Sequence, residues 1–243
     1  MSTYKESLSH VQEAVESILR QNYNNFEFLI HVDYKENKLV LSYLKTIAAK
    51  DNRVKIFINE SSQGLARCRN AGVSAATGEY IAVMDADDVA VDNRIKEQLS
   101  YLQTNKADVV FSQVEYINEA GKHFAYFLPY TKNPKRDVFL KHCFAHPTGF
   151  FKKNVLTENQ YDTAYNVSAD LELWLRLLSK KKIFSIIPKI LLKYRIHTDE
   201  SPEQRLSRQG AYAKGSFEVV KKHIAGNLSN PFFWYFTLKW IFF

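Results

Sequence analysis

Apolar and polar positions alternate along the first hundred residues in two distinct periods. Apolar residues at helical spacing predict helices within 11–19, 39–49 and 63–72. Compact apolar runs predict strands within 26–33, 54–58 and 78–84. This regular alternation of helices and strands favours parallel strands joined by right-handed crossovers. The pattern predicts an α/β fold with a mostly parallel sheet flanked by helices.

After residue 100 helices and strands still follow one another, but a hairpin is also expected. We expect a helix after Asp92, a strand near 108–112 and a hairpin that returns over 122–128. A strongly amphipathic helix begins at Asp170, and two apolar runs beside Pro188 are expected to be edge strands. We therefore predict one domain over 1–195, with halves 1–100 and 101–195. A C-terminal extension follows over 196–243, helical and then strongly aromatic.

One apolar run, residues 78–84, stops abruptly in three carboxylates. Because side chains on a strand alternate between its faces, Asp85 and Asp87 should share one side and Asp88 should point away. Ligands of open α/β sheets bind at the carboxyl ends of strands, and oxygen ligands suit Mg²⁺ or Mn²⁺. The alternative is an acidic turn in which Asp88 or Asp92 caps the next helix.

Composition and net charge indicate which classes of partner the protein is expected to bind. The 243 residues are 46% hydrophobic and 24% charged, which is typical of a globular protein, and the net charge is +7. Positive charge favours nucleotide phosphates, an anionic membrane or nucleic acid. The basic residues are scattered and form no recognition helix, so we expect no nucleic-acid partner. The polar start, the absence of an apolar run of about 20 residues and the two separated cysteines predict a cytoplasmic protein.

Polar side chains at the predicted strand ends indicate a type of reaction. Tyr4, Asp33, Asp85 and Asp87 should meet in one crevice, and Asp170 lies at the start of a helix in the second half. A divalent cation can neutralise the charge that grows on a departing diphosphate. A separate carboxylate can remove the proton of an attacking hydroxyl. This arrangement suits transfer of a sugar from a nucleotide diphosphate.

Six segments in order carry a resemblance to a known family. They are Ala14–Gln21, Asn25–Ile30, Gly64–Gly72, Gly78–Asp88, His146–Thr148 and Ala169–Arg176. With them, the chain resembles bacterial glycosyltransferases of family 2, of the polysaccharide and lipopolysaccharide biosynthesis type, from its first residues to His197. The resemblance implies the GT-A fold, a Rossmann-like α/β architecture. It also implies inverting transfer from a nucleotide-sugar donor to a hydroxyl of a glycan or lipid-linked acceptor.

The resemblance also implies roles for the residues around the diphosphate. Asp85 and Asp87 correspond to the metal and diphosphate motif, and Asp87 is the expected direct ligand of Mn²⁺ or Mg²⁺. His197 follows the Tyr-Arg pair and is expected to help to bind metal or diphosphate. Asp170 corresponds to the catalytic base.

A second set of implied roles concerns the nucleotide. Asp33 corresponds to the aspartate beside the base, and Ser2 and Tyr4 lie in the loop that holds the base and ribose. Arg67 or Arg69 lies where an arginine approaches the nucleotide, and Asp85 is also expected among the nucleotide-binding residues.

Structural roles remain open for several of these residues. Asp170 would also serve as a helix cap, and Arg67 and Arg69 as surface or salt-bridging residues. His146, ahead of Pro147, is expected to be a hydrogen-bonded structural histidine. Trp174 lies at helical spacing with leucines and is expected in the core or a groove wall.

Two departures from the family leave a non-catalytic remnant or scaffold as the alternative function. Family members begin with several apolar residues that form the first strand, and here that strand is essentially absent. A missing strand would leave backbone groups of its neighbour unpaired, so either the start lies upstream or the nucleotide site is damaged. The second departure is the segment 31–37, which lacks the family's paired aspartates and small turn residues.

The last residues have a composition of their own. Residues 231–243 are rich in aromatic side chains but too few to span a bilayer. Together with Lys180–Lys182 and the positive charge, they indicate peripheral contact with an anionic membrane. The alternative is a helix packed on the protein's own surface.

Overall fold

A computed structural model describes residues 1–134, 137–138, 143–165, 167–197 and 202–224. The helices are α1 (Leu8–Leu19), α2 (Lys38–Lys50), α3 (Leu65–Ala75), α4 (Arg94–Thr104), α5 (Lys153–Thr157), α6 (Ala169–Ser179) and α7 (Pro202–Ile224). The strands are β1 (Ser2–Thr3), β2 (Phe28–Val32), β3 (Val54–Ile58), β4 (Tyr80–Ala82), β5 (Val89–Ala90), β6 (Val109–Ile117), β7 (His123–Phe127), β8 (Phe150–Lys152) and β9 (Phe184–Arg195).

The first helices form where the sequence pattern predicts them. Ser7 caps α1 by accepting a hydrogen bond from the His10 backbone N–H at 3.2 Å. Val11, Ala14 and Ile18 of α1 are buried, because their helical spacing places them on one face.

The amino-terminal half contains a parallel three-stranded sheet in the order β1-β2-β3. Ser2 lies opposite His31 and Thr3 opposite Val32. The expectation that the first strand is absent is therefore corrected, because two residues are enough to form a short β1. A parallel bridge between Ser2 and Asp85 then links this sheet to the acidic segment.

The second sheet has six strands in the order β4-β8-β6-β9-β5, with β7 paired to β6. The expected hairpin is confirmed as β6–β7. The α/β class is also confirmed, but parallel pairing is less general than expected. It occurs at β1–β2, β2–β3 and β6–β9, whereas β4, β5, β7 and β8 pair antiparallel with their neighbours.

The expectation of two edge strands beside Pro188 is wrong. Residues 184–195 form one strand, β9, between β6 and β5 in the interior of the sheet. The register shifts where Ile187 lies opposite Ser112 and Ile190 opposite Gln113. Pro188, which has no backbone N–H, falls in this shift, so the ladder loses little by its presence.

The core of the second half is largely aromatic. Trp174 of α6 is buried and its ring lies 5.8 Å from Phe111 and 5.4 Å from Phe144. This confirms that Trp174 is a core residue. Helix α6 is thereby fixed against β6, which sets the position of Asp170 at its amino end.

The carboxyl-terminal part is helical over residues 202–224, as α7. Within the described residues, no helix is long and apolar enough to cross a membrane. The aromatic segment 231–243 lies outside the described residues, so its contact with a membrane stays a prediction, as does the division into halves at residue 100.

Candidate active site

The acidic segment 85–88 lies at the junction of the two sheets. The side chains of Asp85 and Asp87 are 31% and 21% exposed, whereas Asp88 is 1% exposed. The exposures alternate as predicted, with Asp85 and Asp87 facing the open side, but Ala86 and Asp87 lie in a turn and not in a strand. Arg69 of α3 donates to Asp85 Oδ1 at 2.9 Å, so one guanidinium neutralises part of this acidic edge.

Asp87 is held by a histidine that is distant in sequence. His197 Nε2 lies 2.7 Å from Asp87 Oδ2, and His197 Nδ1 lies 2.6 Å from Glu119 Oε1. These two hydrogen bonds raise the pKa of His197 to about 9, with the Asp87 contact the larger cause. His10 of α1 also approaches Glu119, at 3.5 Å. The β6–β7 turn therefore contributes directly to the acidic site through Glu119.

Arg195 anchors the acidic segment from inside the protein. Its Nε donates to the Asp87 carbonyl at 2.8 Å, and its backbone N–H donates to Asp88 Oδ1 at 2.8 Å. Its Nη1 donates to the carbonyls of Asn118 and Glu119, and its Nη2 pairs with Glu13 of α1. One buried guanidinium thus joins the acidic segment, the β6–β7 turn and α1.

Arg94 supports the acidic segment through buried hydrogen bonds to the residues that flank it. Its Nη2 donates to the carbonyls of Val83 at 2.6 Å and Pro147 at 2.7 Å, and Gln98 accepts from its Nε at 2.9 Å. Burial lowers the pKa of Arg94 to about 10, while the carboxylates of Asp88 and Asp85 act in the opposite direction. Burial raises the pKa of Asp88 well above its usual range. The segment is therefore held by Arg94 and Arg195, which are both buried.

Asp33 holds the loop of residues 59–64 through its carboxylate. Its carboxylate accepts hydrogen bonds from Asn59 Nδ2, Ser62 Oγ and the backbone N–H groups of Gln63 and Gly64, at 2.7–3.0 Å. Burial acts to raise the pKa of Asp33, but these four hydrogen bonds outweigh it and the pKa is lowered. Asp33 therefore fixes the 59–64 loop beside the predicted base site.

The other predicted nucleotide residues lie around this loop. Tyr4 is exposed, and its ring packs edge-on against Tyr34 at 5.3 Å. Ser2 lies in β1 beside Asp85. Arg67 is exposed, whereas Arg69 reaches Asp85, so the structure brings Arg69 and not Arg67 to the acidic segment.

Asp170 lies in the first turn of α6, on the same side as Arg69. Ser168 precedes the helix as its N-cap residue, and Asp170 accepts the backbone N–H of Leu171 at 2.8 Å. Burial raises the pKa of Asp170, while the charge of Arg69 acts to lower it. Asp170 is therefore close enough to Arg69 and Asp85 for their charges to affect its pKa.

Tyr161 contacts both Arg69 and His146. The Arg69 guanidinium lies 5.5 Å from the centre of its ring, and its hydroxyl lies 3.0 Å from His146 Nε2. His146 is buried and bonded, in agreement with its expected structural role.

The carboxylates of Asp85 and Asp87 suit a divalent cation that takes its other ligands from phosphate and water, whereas His197 would have to lose a proton and its contact with Asp87 before it could join them. Mg²⁺ and Mn²⁺ commonly use one or two protein carboxylates in this way. Among the residues that the structure describes, no group of three or more metal-ligating side chains is arranged to hold an ion by itself. The metal roles of these residues therefore stay predictions.

Sequence reasoning did not identify Arg94, Arg195 and Glu119 as site residues. Arg94 and Gln98 are spaced as i and i+4 on α4, so their pairing had a local signal. The Arg195 contacts join residues 107 and 108 positions apart, and no local pattern reports a contact at that distance. Glu119 lies between β6 and β7, where the sequence predicts only a hairpin.

Replacing Arg195 with methionine is expected to lower the free energy of unfolding by about 3 kcal/mol, because several buried acceptors lose their donor. For a chain of this size the melting temperature should fall by about 9 °C, measured by scanning calorimetry. Arg20→Met is the matched control, since Arg20 is 54% exposed and lies 3.7 Å from Asp92. Equal melting temperatures for the two variants would exclude an anchoring role for Arg195.

Comparison with known proteins agrees with this geometry. The model of the family "Glycosyl transferase family 2" matches residues 1–159. An uncharacterized glycosyltransferase of Methanocaldococcus jannaschii is 33% identical over 238 residues, which cover 96% of this chain and 82% of the relative. The O-antigen biosynthesis glycosyltransferase WbnJ of Escherichia coli is 33% identical over 223 residues, which cover 90% of this chain and 87% of WbnJ.

A solved structure supports the fold independently of close sequence identity. S. aureus TarS 1–349 in complex with UDP-GlcNAc has a TM-score of 0.70 at 16% identity, covering 92% of this chain and 64% of that chain. The GT-A fold expected from the sequence is confirmed by this likeness and by the α/β architecture. Because the family model and both relatives match over most of the chain, the protein belongs to glycosyl transferase family 2.

Proposed function

We propose that the protein transfers a sugar, with inversion, from a nucleotide-diphosphate sugar to a hydroxyl of a glycan or lipid-linked saccharide. The observation that carries this proposal is the Arg69–Asp85 ion pair at 2.9 Å, with Asp87 beside it and Asp170 within electrostatic reach. This arrangement brings the residues proposed to hold the diphosphate close to Asp170, a carboxylate that can act as a base.

Asp170 accepts the proton of the acceptor hydroxyl in this proposal. Burial raises its pKa, which makes it a stronger base than an exposed aspartate, while the charge of Arg69 acts to lower that pKa. The deprotonated oxygen then attacks the anomeric carbon on the face opposite the departing diphosphate. A single displacement of this kind inverts the configuration at that carbon.

Asp85, Asp87 and His197 would hold Mn²⁺ or Mg²⁺ together with the diphosphate. The ion would supply positive charge to the leaving group as the glycosidic bond breaks. Arg69 keeps Asp85 oriented toward that position, and Glu119 does the same for His197. Ser2, Tyr4 and the 59–64 loop would contact the base and ribose.

The names of two relatives support the choice of acceptor. WbnJ is an O-antigen biosynthesis glycosyltransferase, and the Escherichia coli WfgD is a UDP-Glc:alpha-D-GlcNAc-diphosphoundecaprenol beta-1,3-glucosyltransferase. WfgD is 28% identical over 194 residues. A lipid-linked acceptor would also suit peripheral contact with a membrane through residues 231–243 and the net charge of +7.

Titration calorimetry with UDP tests the nucleotide site and separates the enzyme from a non-catalytic remnant. We expect UDP to bind at least about 10-fold more tightly with Mn²⁺ than with EDTA, because Asp85 and Asp87 would hold the ion and the ion would offset the charge of the diphosphate. GDP and ADP serve as matched nucleotides that differ in the base. No binding of any of the three, with or without Mn²⁺, would favour the remnant.

A further inference from the structure

Helix α7 packs across the amino-terminal end of α6. Gly215 allows the close approach, because a Cβ atom at that position would lie 3.1 Å from the carbonyl oxygen of Val167 and 3.3 Å from Ser168 Oγ. The hydroxyls of Ser168 and Ser216 lie 3.0 Å apart, and Ser168 Oγ also donates to the Tyr212 carbonyl at 3.4 Å. Since Ser168 is the N-cap residue of α6, this part of α7 lies directly against the start of that helix.

A second contact fixes α7 farther along its length. Glu172 of α6 is 1% exposed, and its carboxylate accepts from Arg176 at 2.8 Å and lies 3.3 Å from His223 Nε2 of α7. Burial acts to raise the pKa of Glu172, but the hydrogen bonds to His223 and Arg176 outweigh it and lower the pKa to about 2. Ser216 and His223 are about 10 Å apart along the helix axis, so the two contacts fix the direction of α7 as well as its position.

This packing places Tyr212 beside Asp170. Tyr212 lies one turn before Ser216 on the same face of α7, and Asp170 follows Ser168 by two positions. Burial raises the pKa of Tyr212, and the charge of Asp170 acts in the same direction, whereas a hydrogen bond with Ser216 opposes them. The Tyr212 hydroxyl is therefore oriented by Ser216 and lies within electrostatic reach of Asp170.

The other groups that face Asp170 are Arg69, Asp85 and Tyr161. Tyr161 is 3% exposed, and Arg69, Asp170 and Asp85 all act on its pKa. Tyr212 is half-buried, and within the described part of the chain its pKa responds to Asp170 but not to the Arg69–Asp85 pair. Tyr212 therefore lies farther from the proposed diphosphate site than Asp170 does, at a position that solvent reaches.

The place of α7 in the chain indicates which substrate it faces. The residues proposed to bind the donor, including Asp33 and the acidic segment, lie within the match to the family model, which ends at residue 159. Asp170 and α7 lie beyond it, so the surface beside the proposed base can differ between proteins that share one donor chemistry. A tyrosine offers an apolar ring and a hydroxyl that both donates and accepts, which suits the C–H groups and hydroxyls of a sugar.

We propose that Tyr212 contacts the saccharide acceptor and that the Tyr212–Ser216 segment of α7 forms the acceptor side of the active site. This inference rests on the proposed sugar transfer. The ring of Tyr212 would pack against the C–H face of the acceptor sugar, and its hydroxyl would hydrogen-bond a hydroxyl of the same sugar. Both contacts would hold the attacking oxygen at Asp170.

Kinetic constants separate acceptor binding from the packing of α7. Tyr212→Ala is expected to raise the KM for a saccharide acceptor at least about 10-fold, and Tyr212→Phe, which retains the ring, about 3-fold. The KM for the UDP-sugar should stay within about 2-fold in both variants. Tyr101→Phe is the matched control, since Tyr101 is half-buried on α4 and donates to the Ile186 carbonyl at 3.3 Å. An unchanged acceptor KM in Tyr212→Ala, or an equal rise of both KM values, would contradict the proposal.

Nuclear magnetic resonance gives a second measurement that needs no turnover. The tyrosines are labelled with carbon-13 at Cζ, and the Tyr212 signal is assigned by its loss in Tyr212→Phe. The probes are the methyl α-glycosides of glucose, galactose, mannose and N-acetylglucosamine, each added with and without UDP and Mn²⁺. We expect at least one probe to shift the Tyr212 signal and to leave the Tyr101 signal in place.

The two conditions distinguish failure of this inference from failure of the proposed transfer. UDP binding without a shift of Tyr212 by any probe would overturn the acceptor surface and leave the nucleotide site intact. A shift of Tyr212 without UDP binding would support the saccharide surface and overturn transfer from a UDP-sugar. Equal shifts of Tyr212 and Tyr101 would also overturn the acceptor surface, and the absence of both binding events would overturn both proposals.

Discussion

Replacing Asp170 with asparagine is expected to reduce sugar transfer by at least about 100-fold, because the variant has no base for the acceptor hydroxyl. Asparagine retains an oxygen that can accept the Leu171 N–H, so the helix should remain intact. The affinity for UDP with Mn²⁺ should stay within about 3-fold. Initial rates of UDP release with a UDP-sugar donor and a saccharide acceptor provide the measurement.

The pH dependence of the same reaction separates a base from a structural residue. Burial raises the pKa of Asp170, and only its deprotonated form can accept a proton. The rate should therefore fall as pH falls through that pKa, and this acidic limb should be missing from the residual rate of Asp170→Asn. Asp162→Asn is the control, since Asp162 pairs with Lys222 at the surface. Turnover of Asp170→Asn within about 3-fold of the native rate would contradict the mechanism.

Replacing Asp87 with alanine should reduce transfer by a similar factor, about 100-fold or more, for a different reason. The variant loses a carboxylate that would hold the divalent cation, so charge on the leaving diphosphate is no longer stabilised. It should also lose the preference of UDP binding for Mn²⁺ over EDTA. Calorimetry and the UDP-release assay report these two effects separately.

Asp92→Ala is the matched control for Asp87, because Asp92 is 67% exposed and lies near Arg20. Its rate and metal dependence should match those of the native chain. If Asp87→Ala kept both the native rate and the Mn²⁺ preference, Asp87 would not be a metal ligand.

The helices and strands of the first half could be predicted because their apolar periods are local. The region 184–195 shows where local patterns fail, since Pro188 indicates an edge and β9 is nevertheless interior. The register shift that accommodates Pro188 arises from pairing with β6, which is distant in sequence. The two residues of β1 are likewise too few to give a periodic signal, and their pairing with β2 defines the strand.

The candidate site was predictable where a residue type is chemically distinctive. The exposures of Asp85, Asp87 and Asp88 agree with the predicted alternation although Ala86 and Asp87 form a turn, and the family resemblance singled out His197, which contacts Asp87 across 110 positions. Arg69 and Arg67 were equivalent in sequence, and only packing of α3 decides which of them reaches Asp85. Asp33 was expected beside a base, but its four hydrogen bonds depend on the conformation of a distant loop.

The position of Arg195 in the chain determines when the acidic segment gains its contacts during synthesis. Its backbone N–H binds an aspartate that is synthesised 107 residues earlier. While the ribosome is still extending β9, the acidic segment lacks the Arg195 hydrogen bonds to the Asp87 carbonyl and the Asp88 carboxylate. A polypeptide ending at residue 159, where the match to the family model ends, would remain in that state. Assembly of the acidic segment into its final contacts is therefore a late event of biosynthesis, completed only after β9 has left the exit tunnel.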